Sequence, residues 1–206
     1  AARWTPIVQE KFEGAFPGIG WVLGDNNGAE GGDYRWSKSD CLPYAGGYAG
    51  WAVGGGTDGA LLPCGSDYPD DAESFMMYGP FSLVGASGAE LRMQTWLNCE
   101  DGYDFLYLLA SLDGETFYGE EFTGAWEEWR AISLDLSHVQ SLGDLTGQAN
   151  VWIAILFDSD FSVGMPDGAL IDDLVLQKCQ GAGCGTTAPP GDVTTLGKPV
   201  SIRLKR

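Results

Sequence analysis

Seven stretches of this chain read as β-strands, and no part of it repeats at the 3.6-residue period of a helix. The strand stretches are 8–14 (VQEKFEG), 74–79 (SFMMYG), 90–98 (ELRMQTWLN), 103–111 (YDFLYLLAS), 129–137 (WRAISLDLS), 151–157 (VWIAILF) and 168–176 (GALIDDLVL). Successive side chains of a strand point to opposite faces, which puts Leu91, Met93, Thr95 and Leu97 on one side. The stretches 103–111 and 151–157 are apolar on both faces and read as central strands. A chain built this way is confined to all-β architectures. Its 31 glycines and 12% aromatics suit a sandwich rich in turns and loops. Its 206 residues fit one large all-β domain or two small ones.

The last of these strands sets a problem. In GALIDDLVL, Leu170, Asp172, Leu174 and Leu176 share one face, and Ile171, Asp173 and Val175 share the other. Both faces look buried. A carboxylate in such a place needs a cation, a hydrogen-bond network or a raised pKa.

The net charge of -18 argues against a nucleic-acid partner, which would require basic patches. No run reaches the roughly 18 apolar residues of a membrane span. The opening AARWTP has neither Met nor signal peptide and reads as a mature, processed protein. Of five cysteines, Cys179 and Cys184 bracket a short loop and Cys41 and Cys64 a glycine-rich one. Disulfides at both places and an oxidising, extracellular compartment are expected, with Cys99 left over. The sequence alone leaves about 15 pairings open. With no CxxC spacing and His138 as the single histidine, zinc is not expected.

The segments KFEGAFPGIGW, YPDDAESFMMYGPFSLVGASGAELRMQTWLN, YDFLYLLASLDGETFYG, WEEWRAISLDLS, GQANVWIAILFDSDFSV and GALIDDLVLQKC follow one another in this order. Together they resemble the MAM-like jelly-roll modules of secreted bacterial proteins, including those of immune-inhibitor-A-type peptidases, over about residues 10 to 180. The resemblance implies a two-sheet antiparallel jelly-roll β-sandwich over 1–184. It implies no single function, since such modules are accessory, adhesive or structural. It also implies a calcium ion where the first strand meets the last, with Glu13 of KFEG, Asp172 and Asp173 as ligands. The plainer alternative is one Asp facing solvent and one capping a loop.

Catalysis finds little support. His138 has no nucleophile motif around it, and Glu120–Glu121 and Glu127–Glu128 read as acids in exposed turns. No enzyme is expected. Trp36, Trp51, Trp126 and Trp129 lie in or near glycine-rich loops, where they either form a platform for a polysaccharide or pack under the loops. Residues 24–73 form a long Gly- and Asp-rich stretch with few strand signals, tied by Cys41 and Cys64.

Beyond Cys184 the composition changes. GTTAPPGDVTTLG (185–197) reads as a linker, and KPVSIRLKR (198–206) as a strand with Val200, Ile202 and Leu204 on one side and Ser201, Arg203 and Lys205 on the other. Residues 179–206 hold four bases and one acid (+3), against seven bases and 28 acids (-21) in 1–178. Such a segment completes a sheet edge, either of its own domain or of a neighbouring copy. The second option implies a homo-oligomer or a head-to-tail filament, and it leads to the expectation of a self-assembling surface or matrix subunit. A calcium-stabilised carbohydrate-binding or adhesive module is the alternative.

Overall fold

The computed structural model describes residues 1–28, 30–185 and 200–205. Among them are strands β1 (Arg3–Glu10), β2 (Trp21–Asp25), β3 (Arg35–Ser39), β4 (Ala49–Gly55), β5 (Glu73–Phe81) and β6 (Gly88–Asn98). They continue with β7 (Phe105–Ser111), β8 (Thr116–Phe122), β9 (Arg130–Asp135), β10 (Val151–Asp158), β11 (Gly168–Gln180) and β12 (Val200–Arg203). A four-residue helix, α1 (Gly56–Gly59), follows β4. All pairings are antiparallel, in two six-stranded sheets. Sheet A runs β3-β4-β11-β6-β9, with β1 also on β11, and sheet B runs β12-β8-β7-β10-β5-β2. The molecule is the all-β jelly-roll sandwich expected, with an added C-terminal strand. Among the described residues no helix is long and apolar enough to cross a membrane.

Strand alternation builds the layers. β6 turns Leu91, Met93 and Leu97 into the main core, where β10 adds Ile153, Ile155 and Phe157 and β7 adds Leu106 and Leu108. The intervening residues of sheet B make a second apolar cluster on its opposite face, with Phe75, Met77, Leu109, Phe117 and Leu156. Trp36 ties the sheets together, because its indole N–H on β3 donates to the Ser74 carbonyl on β5 at 3.1 Å.

The central strand of sheet A is β11. β6 follows one of its edges from Gly168 to Cys179. On the other edge β4 pairs only with Leu170 and Ile171, and β1 takes over from Leu174 to Gln180. At the handover the register slips between Asp172 and Val175, and Asp173 adopts a φ of 46°. This is a β-bulge, with one residue turned into the left-handed region.

Several expectations need correction. The first strand lies over Arg3–Glu10 rather than 8–14, and the chain then turns at Phe12, which is fully buried with a φ of 58°. The stretch 24–73 holds β3, β4 and α1. β4 (AGWAVGG) was hidden by its glycines, which have a packing reason: a Cβ on Gly50 would strike the Phe12 ring. Glu120 and Glu121 do not lie in a turn but on β8, where Glu120 is half-buried and burial raises its carboxyl pKa. Trp36 and Trp51 are 1% and 4% exposed and belong to the core, so neither offers a sugar platform. Indole rings of that size bury readily once their N–H finds an acceptor.

The disulfides are Cys41–Cys64 and Cys179–Cys184. Cys99 is a free, buried thiol, and burial pushes its pKa up to about 12. β12 pairs with β8 of the same chain, Val200 opposite Gly119 and Arg203 opposite Thr116. Most of the expected linker (186–197), together with Lys198 and Arg206, lies outside the described residues.

At one end of sheet B, Asp158 closes β10 opposite Glu73. Burial, and then Glu73, Asp104, Asp160 and Asp71, push its carboxyl up to about 7. The folded chain keeps a proton there that an unfolded aspartate releases near 3.8. The associated stability is full below the unfolded value and is lost as pH rises through 7. Asp158→Asn removes this titration. Its stability advantage over the parent is expected to grow by up to about 4 kcal/mol between pH 4 and pH 8.5, measured by denaturant unfolding at both pH values.

Candidate functional site: a groove on the outer face of sheet A

The bulge on β11 gives its two acids opposite roles. Asp172 is 1% exposed. Its Oδ2 accepts the N–H groups of Tyr44 (3.1 Å) and Ala45 (3.0 Å), and its Oδ1 that of Asp173 (2.7 Å). Burial raises its pKa, and these donors offset only part of that rise. Asp173 turns outward and pairs with Lys11 at 3.2 Å. Glu13 approaches the same loop from the other side, where its Oε1 accepts the N–H groups of Gly47 (2.9 Å) and Tyr48 (3.1 Å). Gly46 lies between the two clasps with a φ of 69°, and a Cβ there would collide with the Glu13 carboxylate. Lys38 closes the arrangement. Its ammonium donates to the carbonyls of Gly14 (3.0 Å) and Glu13 (3.3 Å) and sits 3.8 Å from the centre of the Tyr48 ring.

These contacts test the expected calcium set. Ca²⁺ gathers six to eight oxygens around one point. Here the Asp172 and Glu13 carboxylates face backbone N–H donors, and Asp173 faces an ammonium. Among the described residues they do not form a cluster of ligand atoms. The cluster that does form, Asp40, Cys41 and Cys64, contains the two sulfurs of a disulfide. Glu13 and Asp172 act as a clasp for loop 44–48, which is also anchored by Cys41–Cys64.

Asp173 and its partner Lys11 line a groove of 330 Å³ on the outer face of sheet A. One cross-strand row, Gln9–Val175–Arg92–Ser133, crosses β1, β11, β6 and β9, and the next contains Gln94 and Ala131. Gln9, Lys11, Arg92, Gln94, Ser133 and Asp173 supply its polar groups. Two residues further along β6 and beside β9 stand Trp96 and Trp129, with ring centres 6.4 Å apart. Tyr44, 46% exposed, packs on Trp129 at 5.6 Å. The groove therefore continues into an aromatic ledge carried by strands on one side and by the clasped loop on the other.

Of the four tryptophans singled out in the sequence, Trp129 belongs to this ledge. Trp126 packs edge-on against Phe122 at 6.1 Å, with Arg130 over its ring. Sequence reasoning missed Gln9, Lys11, Arg92, Gln94, Ser133, Tyr44 and Trp96. Alternation marks Arg92, Gln94 and Trp96 as one face of β6, but only the sheet order brings them beside Ser133 and Gln9.

Ser137, His138 and Asp135 also meet, but not as a relay. Ser137 Oγ (3.0 Å) and Asp135 Oδ2 (3.1 Å) both lie on the same ring nitrogen of an exposed imidazole. A catalytic triad needs the base to face its nucleophile with one nitrogen and its acid with the other.

No protein-family model matches the chain, and no curated protein matches it in sequence. Among solved structures, the chain is similar to the K3 adhesin domain of Lys-gingipain from Porphyromonas gingivalis W83, at 13% identity and a TM-score of 0.54. That match covers 84% of this chain and 99% of the adhesin domain. A family 11 carbohydrate-binding module of Clostridium thermocellum, solved with a β-1,3-1,4-mixed-linked tetrasaccharide, matches at 12% identity and a TM-score of 0.48, over 85% of this chain and 94% of the module. A xylan-binding domain of family 22 matches at 11% identity and 0.47, over 88% and 97%. At these identities the likeness to the adhesin domain is one of fold.

The clasp makes a direct prediction. Asp172→Ala leaves three N–H groups without their acceptor, and is expected to cost about 3 kcal/mol in denaturant unfolding. A chelator is expected to leave the melting temperature of the parent protein unchanged in differential scanning calorimetry.

Proposed function

We propose that this chain is a non-catalytic, extracellular module that binds carbohydrate through the groove and aromatic ledge of sheet A. The observation that carries the reading is the pairing of two surfaces in one place. Two amides, a guanidinium, an ammonium, a hydroxyl and a carboxylate line the groove, and three aromatic rings adjoin it. A sugar ring presents hydroxyls at its rim and C–H groups on its faces. The polar side chains are suited to the first and the rings to the second. The groove stands on strands, and the loop beside it is clasped by two carboxylates and a disulfide. Little ordering cost remains for a ligand to meet.

Two disulfides fit an oxidising compartment and with it an extracellular setting. The acidic surface favours neutral glycans over polyanionic ones.

The test is a panel of neutral xylo-, gluco- and galacto-oligosaccharides, read by tryptophan fluorescence and titration calorimetry. At least one is expected to bind and to shift the emission. Trp129→Ala and Gln94→Ala are each expected to weaken that ligand about tenfold, close to 1.4 kcal/mol. Silence across the panel in both readouts, or binding that neither substitution alters, overturns the assignment of this groove.

A further inference from the structure

The opposite face of the molecule carries a second surface that the groove does not use. On sheet B, Phe75, Met77, Leu109, Phe117 and Leu156 form an outer apolar cluster, and Leu204 is buried among them. The strand that brings Leu204 there is unlike the other eleven. Sheet B is complete without β12, because β8, β7, β10, β5 and β2 pair in succession. No residue of β12 belongs to the main core.

β12 is nonetheless held at several points. Its backbone pairs with β8 over four residues, Val200 to Arg203. The Leu204 N–H then donates to the Glu115 carbonyl at 3.0 Å, and the next amide, of Lys205, to Asn26 Oδ1 at 2.8 Å. Consecutive amides thus bind to the β7–β8 turn and to the chain just after β2. Arg203 pairs with Glu115 at 3.3 Å. Each contact is made to a surface that every copy of the chain presents. The fourteen residues 186–199 join this segment to the body, and that length of chain spans at most roughly 45 Å, enough to reach a neighbour.

We infer that the slot along β8 is a strand-acceptor site whose second occupant is the C-terminal segment of another copy of this chain, exchanged for its own β12. The slot matches that segment in register, in the apolar face of Val200, Ile202 and Leu204, and in charge, since a basic segment meets a strongly acidic body. Exchange keeps every contact and changes only which copy supplies it. A segment joined to its own body through fourteen residues competes at an effective concentration near millimolar, so the closed monomer prevails in dilute solution and exchange sets in as the protein is concentrated.

Thr116 and Arg203 are partners across the β8–β12 pair and supply the test. The double variant Thr116→Cys/Arg203→Cys, oxidised at about 10 µM, is expected to close within one chain. A mixture of the two single variants at about 1 mM is expected to give a disulfide-linked dimer that neither variant gives alone. Light scattering at that concentration should show dimers or larger species for the full chain and a monomer for a chain ending at Gly185. Absence of the mixed dimer while the double variant closes overturns the exchange. Failure of the double variant to close overturns the slot itself. Equal association of the shortened chain shows that assembly runs through another surface and also overturns the inference. None of these outcomes touches the groove on sheet A.

Discussion

The arrangement of sheet A depends on one constraint, that a strand edge must find hydrogen-bond partners along its whole length. β11 is thirteen residues long, and no single neighbour covers its second edge. β4 ends after two pairs and β1 begins after the bulge. The protein fills the interval with a loop, turning the amides of Tyr44 and Ala45 onto the side chain of Asp172. A carboxylate accepts several N–H groups at once and binds them more strongly than a neutral acceptor, which suits a site 1% exposed. The pair of acids in an apolar strand is therefore the joint between three segments. The bulge that makes the joint also rotates Asp173 and Lys11 to the wall of the groove.

The sequence made the long strands legible and concealed the short ones. β6, β7, β10 and β11 announce themselves because burial on one or both faces imposes alternation or continuous apolarity. β3 and β4 do not, since Arg35–Ser39 is mostly polar and five of the seven residues of β4 are glycine or alanine, with rings packed against Gly50 and Gly54. β8 was masked by Glu120 and Glu121, whose charges suggest solvent although the backbone there is ladder. The loop cysteines were legible as local pairs. The groove was not, because its residues come from four strands whose adjacency is a matter of sheet order rather than of spacing. Trp36 and Trp51 illustrate the same limit. A tryptophan in a glycine-rich stretch is equally suited to a platform and to a bolt, and only the carbonyls of Ser74 and Asp167 show which it is.

The two outer faces divide the molecule's surface chemistry. Sheet A exposes mixed polar and aromatic groups held still by a clasped loop. Sheet B turns out an apolar layer covered by the last residues of its own chain. The unequal charge of body and C-terminal segment suits the second arrangement and contributes little to the first, where the cations of the groove are balanced close by: Lys11 by Asp173, and Arg92 by Glu90 at 4.0 Å.

The odd cysteine also has a consequence for how the molecule is made. An unpaired thiol in an oxidising compartment ordinarily invites scrambling, because thiolate attacks existing disulfides. Cys99 follows the end of β6, and burial pushes its thiol pKa up to about 12, so the reactive thiolate is suppressed near neutral pH. Burial at the end of β6 thus shields the two disulfides from this thiol. A chain that has packed this strand has withdrawn its fifth sulfur from exchange, and the two disulfides are left without a thiol of their own chain to attack them.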